Sequence, residues 1–557
     1  MWVLGVNCPP AGWHDPAACL VDGDGTVVAF SEEERFTRRR HALESPPARA
    51  AAYCLDVAGI EPGDVDVVAL GWDIPALHPG RFADDAALLR HAVGAEWARS
   101  GAEVVPVRHH LAHARCAFHA SGHEAASVLV VDGTGEQEAT TIWSCRSGEQ
   151  PALKRTWSTA QSLGCAYNAA SEWLGFSMHQ AGKTMGLAAY GRAAEVPSLV
   201  RFEDGDFVLH VADPEPGVPR TQVEVADQYN RMVSAWTRAF AGIAGTRKPR
   251  ETGERLHLDP VAVRVARSAQ ALVEDVLPWL AAEARALTGV DELCLAGGVA
   301  LNCSANGRLE PPLYVPPVPH DAGVALGAAW HVCPPRTAGG PLSPYLGAEP
   351  GRPPDPALRL GAGRPPAAPV ADHLDGLSSA AFDPDRVAEL LLDGRIGAVV
   401  EGRAEIGPRA LCHRSILALP RPRRLARRLN GLKHREPWRP FGPVAPPAMA
   451  GVLWQDQAAL HRYMLGAAQV TAAGDEAAPA VVHVDGTTRP QIVDGAAPAT
   501  AAVLEALERA GAPPVLVNTS FNDRGQPIVN TAAEAVETFR AMGLDFLVLE
   551  DQLVTRT

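Results

Sequence analysis

The sequence lacks the features that direct a chain into or across a membrane. No run of about 18 uncharged apolar residues, the length that spans a bilayer, occurs among its 557 residues. Residues 1–7 have no basic segment and too short an apolar run for a secretory signal peptide, and we expect them to form a first strand. The sequence therefore predicts a protein that has no membrane partner.

Cysteine is scarce and never clustered along the chain. The ten cysteines stand singly, with no Cys-x-x-Cys motif and without the density of a disulfide-stabilised scaffold. This pattern argues against a cysteine zinc site. It favours a cytoplasmic location, where thiols stay reduced.

Positive charge is in deficit as well. The 50 Lys and Arg face 64 Asp and Glu, so the formal net charge is −14. Nonspecific binding to nucleic acid or to anionic lipid needs a field of the opposite sign, and we expect no nucleic acid partner. A hydrophobic content of 47% indicates a globular chain, whose length corresponds to roughly two to four domains.

The N-terminal half contains two similar groups of short strands. Residues 3–6, 17–21 and 26–31 have strand character, and an Asp-Gly-Asp-Gly turn joins the last two into a hairpin. A strand that ends at an acidic residue and a glycine turn recurs at 127–135 and is followed by the alternating stretch 138–145. The two groups are compatible with a duplicated α/β domain, although their identity is too low to establish a repeat.

Helical and strand patterns alternate over the rest of the chain, which predicts α/β domains with parallel sheets. Helical periodicity spans 261–287, and a short strand at 292–296 precedes a Gly-Gly pair. Eleven prolines between 334 and 369 predict a linker at 336–370 between a domain at 1–335 and a second α/β domain at 371–557. The second domain has alternating helices and strands at 387–392, 396–401, 501–510, 515–518, 532–542 and 546–548.

Two histidines four residues apart form the first candidate site. His109 and His113 share one face of a helix, at the spacing that lets two imidazoles bind one metal ion. Asp132 ends an apolar strand and Asp321 precedes a helix of small residues, so either carboxylate could join them. Two His and two Asp suit iron(II), manganese or zinc with open positions for a substrate oxygen. The alternatives are core histidines, a turn aspartate and a helix N-cap.

Glycine-rich segments form the second candidate site. Gly297, Gly298 and Asn302 follow a strand, and Lys183 lies in the segment 182–188. Backbone N–H groups there could approach the phosphates of a nucleotide. Neither segment is a Walker A loop, and tight turns at the ends of elements are the alternative for both.

A basic stretch forms the third candidate site. Residues 401–441 hold eleven Arg or Lys against three acids, a local charge of +8 in an acidic protein. Four of these cations could clamp phosphoryl oxygens, namely Arg409, Arg414, Lys433 and Arg439. The basic run 421–428 more often forms a solvated face. Further polar candidates, which are turn formers by default, are Arg489, Asn518 and Ser520.

His14 is the fourth candidate. It follows the first predicted strand in Trp13-His14-Asp15, and loops at the C-terminal ends of strands are where α/β proteins place catalytic groups. A general base is one interpretation. An exposed loop histidine is the other.

Seven motifs occur in order along the chain: Ser31-Glu-Glu-Glu-Arg-Phe-Thr, His109-His-Leu-Ala-His113, Gly182-Lys-x-Met-Gly-Leu-Ala, Gly297-Gly-Val-x-Leu-Asn302, Gly407-Pro-Arg-Ala-Leu411, Arg439-Pro-Phe and Asn518-Thr-Ser-Phe-Asn-Asp-Arg-Gly525. Together they resemble the O-carbamoyltransferases of antibiotic biosynthesis, the group that includes the tobramycin, nodulation and cephamycin carbamoyltransferases. The resemblance covers nearly the whole chain. One departure is Gly442 after Arg-Pro-Phe, where the family commonly has alanine.

The resemblance implies a fold and a reaction. The N-terminal domain would be a duplicated actin-like, threonylcarbamoyltransferase-like domain, and the C-terminal domain a YrdC-like domain that forms carbamoyl adenylate. ATP, Mg²⁺ and carbamoyl phosphate would react in the C-terminal domain. The carbamoyl group would then pass to the N-terminal domain and to a hydroxyl of a small natural product, such as an antibiotic or a sugar-bearing compound.

The resemblance also implies residue roles. Iron(II) or another divalent metal would be held by His109, His113, Asp132 and Asp321, and His14 would take the proton of the acceptor hydroxyl. Phosphates would be neutralised by residues at the family's motif positions: Arg409, Arg414, Lys433, Arg439, Arg489, Asn518 and Ser520. Two other interpretations stay open, a tRNA threonylcarbamoyl-type enzyme and a non-enzymatic actin-like nucleotide-binding scaffold. The acceptor and the oligomeric state are not determined by the sequence.

Overall fold

The computed structural model describes residues 1–8, 14–43, 45–213, 217–245, 252–336, 339–351, 374–455, 458–493 and 495–556. The chain divides into two compact units. Unit 1 comprises Met1–Glu33 and His41–Leu342, and unit 2 comprises Glu34–Arg40 and Ser343–Thr557. Most of the predicted linker, residues 352–370, lies outside the described residues.

Unit 1 begins with a five-stranded sheet. Its strands are β1 (Val3–Asn7), β2 (Ala17–Val21), β3 (Val27–Glu32), β4 (Val67–Leu70) and β5 (Glu103–Pro106), in the order β3-β2-β1-β4-β5. Strand β1 is antiparallel to β2 and parallel to β4. The predicted hairpin is confirmed, because Asp22 Oδ1 accepts the N–H groups of Asp24 and Thr26 across its turn.

A second sheet in unit 1 repeats the first. The next strands are β6 (Ala125–Val131), β7 (Glu138–Arg146), β8 (Ala152–Ser158), β9 (Val200–Glu203), β10 (Asp206–Leu209), β11 (Leu293–Ala296) and β12 (Leu313–Tyr314). Apart from the β9–β10 hairpin, they form a sheet in the order β8-β7-β6-β11-β12. Strand β6 is antiparallel to β7 and parallel to β11, as β1 is to β2 and β4. The shared order and strand directions confirm the duplication and the α/β class.

Two helices fill the core of unit 1. The first helix of the chain, α1 (Glu34–Thr37), belongs to unit 2. The helices of unit 1 are α2 (Ala48–Ala58), α3 (Ile74–Leu77), α4 (Asp85–Ala92), α5 (His109–Ser121), α6 (Leu163–Trp173), α7 (Ala181–Ala188), α8 (Gln222–Ile243), α9 (Pro260–Thr288), α10 (Cys303–Asn306) and α11 (Ala322–Val332). Helix α11 packs on the first sheet, α5 packs on the second, and the two helices pack against each other. Gly327 permits this approach, since a Cβ there would lie 1.8 Å from the Ala112 carbonyl oxygen.

Unit 2 is a mixed eight-stranded sheet with helices. Its strands are β13 (Leu377–Ala381), β14 (Ile396–Val400), β15 (Arg414–Ala418), β16 (Gly442–Ala445), β17 (Ala468–Gln469), β18 (Thr487–Thr488), β19 (Gln491–Ile492), β20 (Leu516–Ser520), β21 (Phe546–Leu549) and β22 (Gln552–Arg556). The sheet order is β13-β22-β21-β14-β15-β20-β16-β19, and β17 pairs with β18. The helices are α12 (Pro384–Leu392), α13 (Leu425–Leu432), α14 (Ala458–His461), α15 (Ala472–Ala477), α16 (Pro498–Arg509) and α17 (Ala532–Met542).

Strands β14 and β21 of this sheet are buried on both faces, which explains why they are continuously apolar. Ile396 and Ala398 of β14 lie in one hydrophobic cluster with Phe539 of α17. Val399 lies in the other cluster with Val503 of α16. No helix in the described parts of the chain has the length and hydropathy of a membrane span.

Candidate functional site

Helix α5 presents two histidines side by side. His109 and His113 are one helical turn apart, and their Nε2 atoms lie 3.2 Å from each other. The helix begins at His109, whose N–H donates to Glu136 Oε1 at 3.2 Å. Trp72 stacks on the His109 ring with centroids 3.7 Å apart. The orientation of the ring is therefore restrained by this stacking as well as by the position of His109 in α5.

Two carboxylates complete the group. Asp132 follows β6 and Asp321 precedes α11, and their oxygens lie 3.2 Å and 3.7 Å from His113 Nε2. One ligand atom from each of the four side chains falls within 4.8 Å of the others, and all four side chains are buried. The structure thus brings together the four residues predicted as metal ligands, which the sequence separates by up to 212 positions, from 109 to 321.

The donor set fits a divalent metal ion. Asp132 Oδ1 accepts the Gly133 N–H, whereas the buried Oδ2 faces His113 Nε2 at 3.2 Å. His109 Nδ1 lies 3.3 Å from the Gly71 carbonyl oxygen and donates to it, so Nε2 keeps its lone pair. Outer hydrogen bonds of this kind fix the tautomer of metal-binding histidines.

The electrostatics of the group match its geometry. Burial opposes protonation of His113, but Asp132 and Asp321 outweigh it and raise the pKa of His113 to about 9. Burial also disfavours the charged form of Asp132, yet His109 and His113 hold the pKa of Asp132 well below its usual range. The carboxylate is therefore ionised at neutral pH, as a metal ligand must be.

A second cluster of histidines contains His14. His14 and His41 both contact Asp15 through Nδ1, and the ring centroid of His179 lies 4.6 Å from that of His14. The sequence motifs predict a role for His14 but none for Asp15, His41 or His179. The His-Asp dipeptide was a usable signal for Asp15. His41 and His179 carry no local signal, because only the fold brings them to His14.

The glycine-rich candidates take different positions. Gly297 follows β11 with φ +90°, and a Cβ there would lie 2.2 Å from the Val131 carbonyl oxygen. Asn302 caps α10 through the Ala305 N–H, and its amide donates to Gln270. Lys183 lies on α7 with its ammonium 5.2 Å from the centre of the Phe176 ring.

Unit 2 contains a crowded group of cations. Burial lowers the pKa of Lys433, and the neighbouring positive charges of Arg435 and Arg439 lower it further, so it lies well below its usual range. Burial and the charges of Arg439 and Arg489 also hold the pKa of Arg435 well below its usual range, and no sequence motif pointed to Arg435. We call these four side chains the cation cluster: Lys433, Arg435, Arg439 and Arg489. Such mutual repulsion favours binding of an anion.

Lys433 of the cation cluster donates to the carbonyl oxygens of Ser520 and Asn522 and to Asn522 Oδ1. The other candidates of unit 2 are mostly engaged internally as well. The buried Arg414 guanidinium donates to four backbone carbonyls at 2.8 to 2.9 Å, from Glu401, His413, Ala348 and Gly402. We therefore assign Arg414 to holding these loops. Asn518 Nδ2 donates to Gln491, while its Oδ1 is buried without a hydrogen-bond partner in the part of the chain that is described. Ser520 Oγ lies 2.6 Å from Asn522 Oδ1, and Arg409 is half-buried in the loop between β14 and β15.

Fold and site together define a two-unit α/β protein with a candidate metal centre in one unit and a cation cluster in the other. The chain belongs to the carbamoyltransferase family. The model of the carbamoyltransferase N-terminus matches residues 3–76 and 98–330, and that of the C-terminus matches residues 388–556. The family that the motifs resemble is thereby confirmed, and membership makes this protein a transferase.

Similar proteins cover most of the chain. Nodulation protein NolNO of Sinorhizobium fredii is 32% identical over 590 residues, which are 99% of this chain and 80% of the relative. An uncharacterized protein of Synechocystis is 31% identical over 100% of this chain and 97% of its own length. Nodulation protein U of Sinorhizobium fredii is 28% identical over 94% of this chain and 95% of its own.

Proposed function

We propose that this protein is an ATP- and divalent-metal-dependent O-carbamoyltransferase that modifies a hydroxyl of a small natural product. The observation that carries the proposal is the buried set of two histidines and two aspartates, whose ligand atoms all lie within 4.8 Å of one another. This donor set suits a divalent ion with open positions for substrate oxygens. The negative charges of Asp321 and Asp132 act on the His14 imidazole. The proposed base therefore lies close enough to the candidate metal ligands to interact with them electrostatically.

Unit 2 would activate the carbamoyl group, as a YrdC-like domain. Water would hydrolyse carbamoyl phosphate to carbamate and phosphate. A carbamate oxygen would then attack the α-phosphorus of ATP, the bond from that phosphorus to the β-phosphate oxygen would break, and pyrophosphate would leave. The cation cluster and Arg409 supply positive charge for these phosphates, with Mg²⁺ accompanying ATP. Binding of a polyanion would relieve the mutual repulsion of Lys433, Arg435 and Arg439.

Unit 1 would transfer the carbamoyl group to the acceptor. A divalent ion held by His109, His113, Asp132 and Asp321 would polarise the carbamoyl carbonyl. His14 would remove the acceptor hydroxyl proton while the hydroxyl oxygen attacks the carbamoyl carbon and AMP leaves. The acidic net charge of −14 favours a small acceptor over a nucleic acid.

The test uses the purified full chain with ATP, Mg²⁺, carbamoyl phosphate and a panel of hydroxylated antibiotics and sugars. Pyrophosphate release is measured together with the mass of the acceptor. We expect Arg409→Ala to abolish pyrophosphate release, because it removes positive charge from the activation site. His14→Asn should retain pyrophosphate release and lose the carbamoylated product.

Two outcomes would count against the proposal. If the wild-type protein forms neither pyrophosphate nor a carbamoylated acceptor with any member of the panel, the proposed function is wrong. If both variants keep full turnover, the residue roles are wrong although the family assignment stands.

A further inference from the structure

Asp15 lies between two histidines that come from different segments. One carboxylate oxygen, Oδ2, contacts His14 Nδ1, and the other, Oδ1, lies 2.8 Å from His41 Nδ1. The Asp15 side chain is only 8% exposed. His41 comes from a single 3₁₀ turn, Arg40–Ala42, whereas Asp15 lies between β1 and β2.

The backbone holds Asp15 in this position. Its φ is 62°, in the left-handed region that non-glycine residues seldom occupy. Two hydrogen bonds fix it there: the Asp15 N–H donates to the His41 carbonyl at 3.1 Å, and Asn7 Nδ2 donates to the Asp15 carbonyl at 2.9 Å. Asn7 also accepts from Trp72 Nε1 at 2.8 Å, and Trp72 stacks on His109. Contacts therefore lead without interruption from Asp15 to the candidate metal centre.

The chemistry of a carboxylate determines the tautomers of both histidines. Burial would raise the pKa of Asp15, but His14 and His41 outweigh it and hold that pKa well below the usual range, so the group is ionised. An ionised carboxylate only accepts hydrogen bonds. Nδ1 of His14 and Nδ1 of His41 must therefore both donate. When His14 is neutral, its Nε2 then carries the lone pair.

Packing restricts the His14 ring further. The His179 ring, from the 3₁₀ turn Met178–Gln180, lies edge-on to His14 and 4.8 Å from the His41 ring. The titratable groups that act on His14 or on its two partners include Asp15, His41, His179, His320, Asp132 and Asp321. Asp15 is the group that hydrogen-bonds the His14 ring.

We propose that Asp15 is the positioning residue of the transfer reaction: it fixes the tautomer of His14 and stabilises the imidazolium formed there, with His41 as its second anchor. The inference rests on the proposed function, in which His14 is the base. The acceptor O–H bond breaks, an N–H bond forms at His14 Nε2, and the oxygen electron pair goes to the carbamoyl carbon. His14 is 29% exposed, so the proton can pass from Nε2 to solvent after AMP leaves.

Asp15→Asn tests the proposal in the full chain. An asparagine keeps the size of the side chain, but its NH₂ group donates, so it cannot accept from both histidines and forces one into the wrong tautomer. We expect kcat for transfer to fall by about 10²- to 10⁴-fold while KM for the acceptor changes little. Pyrophosphate release should stay at the wild-type rate. The matched control is Asp24→Asn, at an exposed position in the β2–β3 turn, which should leave both rates unchanged.

The pH dependence of kcat distinguishes loss of the Asp15–His14 interaction from general structural damage in Asp15→Asn. Burial lowers the pKa of His14, but Asp15 outweighs it and raises that pKa to about 9. Loss of the carboxylate charge should move the acidic midpoint of kcat to lower pH by at least about one unit. Mere structural damage would lower kcat without moving the midpoint, and a fixed midpoint would overturn the proposal.

His41→Asn provides a second test if Asp15→Asn does not fold. It removes one anchor and keeps the Asp15–His14 contact, so we expect a smaller loss of kcat, about 3- to 30-fold, again without a change in pyrophosphate release. An unchanged kcat in His41→Asn would remove His41 from the proposal. If the wild type transfers and Asp15→Asn transfers equally fast, the inference fails while the proposed function stands. A wild type without transfer defeats the proposed function itself.

Discussion

Four side chains converge on one point in unit 1, and their mutual charges explain why they tolerate burial. Burial opposes protonation of His113, but the two carboxylates outweigh it, and the pKa of His113 rises to about 9 because of Asp132 and Asp321. The proposed metal ion would displace the His113 proton on binding. The group is thus organised before metal binding, which lowers the cost of assembling the site.

Removal of one donor should remove the metal. We expect His113→Ala to weaken binding of iron(II) or zinc by at least about 100-fold, because loss of an outer-shell partner alone costs 10- to 100-fold. His119→Gln on the same helix is the matched control, since His119 contacts Arg115 and not the four donors. Metal content by mass spectrometry after dialysis measures both. Equal metal content in the two variants would contradict the assignment.

The metal-free protein should lose stability as the pH rises. The pKa of His113 is 6.5 in its ordinary state and about 9 in the folded protein, so the stabilisation is complete below pH 6.5 and lost as the pH rises through 9. The pKa of His14 is also raised to about 9, so its contribution to stability is lost over the same pH range. We expect the free energy of unfolding to fall by at least about 2 kcal/mol between pH 6.5 and 9. Urea unfolding after chelation measures it, and a flat profile would contradict the prediction.

The end of β11 shows how a single glycine sets the distance between elements. Gly297 has φ +90°, and a Cβ would meet the Val131 carbonyl oxygen at 2.2 Å, one residue before Asp132. We expect Gly297→Ala to destabilise unit 1 by about 3 kcal/mol, because both the φ angle and the close contact oppose a side chain. Gly242→Ala, inside α8 with open space around it, should be neutral or slightly stabilising. Thermal unfolding of the two variants distinguishes them; similar melting temperatures would contradict the account.

The start of α16 depends on a buried acid. Glu401 Oε2 accepts the Ala499 N–H at 3.0 Å, and Oε1 is buried with no hydrogen-bond partner among the described residues. Burial raises the pKa of Glu401 to about 7, despite the opposing Ala499 hydrogen bond. Stability from this group is therefore full below about pH 4.5 and is lost as the pH rises through 7.

Glu401→Gln should remove this pH dependence. The amide oxygen can still accept from Ala499 while no charge is buried, so we expect a gain of about 1 kcal/mol at pH 8 and none at pH 4. Glu505→Gln, at an exposed position of α16, serves as the control and should change stability little. Denaturant unfolding at the two pH values measures the difference. A loss of stability at pH 8 would show that the charge itself is needed.

The chain as a whole carries two sites in one polypeptide, and the proposed intermediate explains why. Carbamoyl adenylate is a mixed anhydride that water hydrolyses, so it should be used by the chain that makes it. We expect a mixture of His14→Asn and Arg409→Ala to form less than about 5% of the wild-type product, although each variant lacks only one half of the reaction. Mass detection of the carbamoylated acceptor measures this. Full recovery of product in the mixture would mean that the intermediate travels freely.

The sequence alone determined several of the elements and the residue types of the candidate metal ligands. The hairpin of β2 and β3, helix α9 and the apolar strand β14 were predicted within one or two residues, because hydrogen bonding and burial impose short-range periods on the sequence. The two histidines of α5 were predicted for the same reason, since a helix places positions four apart on one face.

Only the tertiary structure decided which side chains meet. Arg409 and Arg414 are five residues apart and equally basic in the sequence, yet the Arg414 guanidinium is occupied by backbone carbonyls. Asp15, His41 and His179 come from three separate segments, and no local pattern connects them. Contacts between distant segments depend on how the sheets and helices pack, and packing is a property of the whole core rather than of any stretch of sequence.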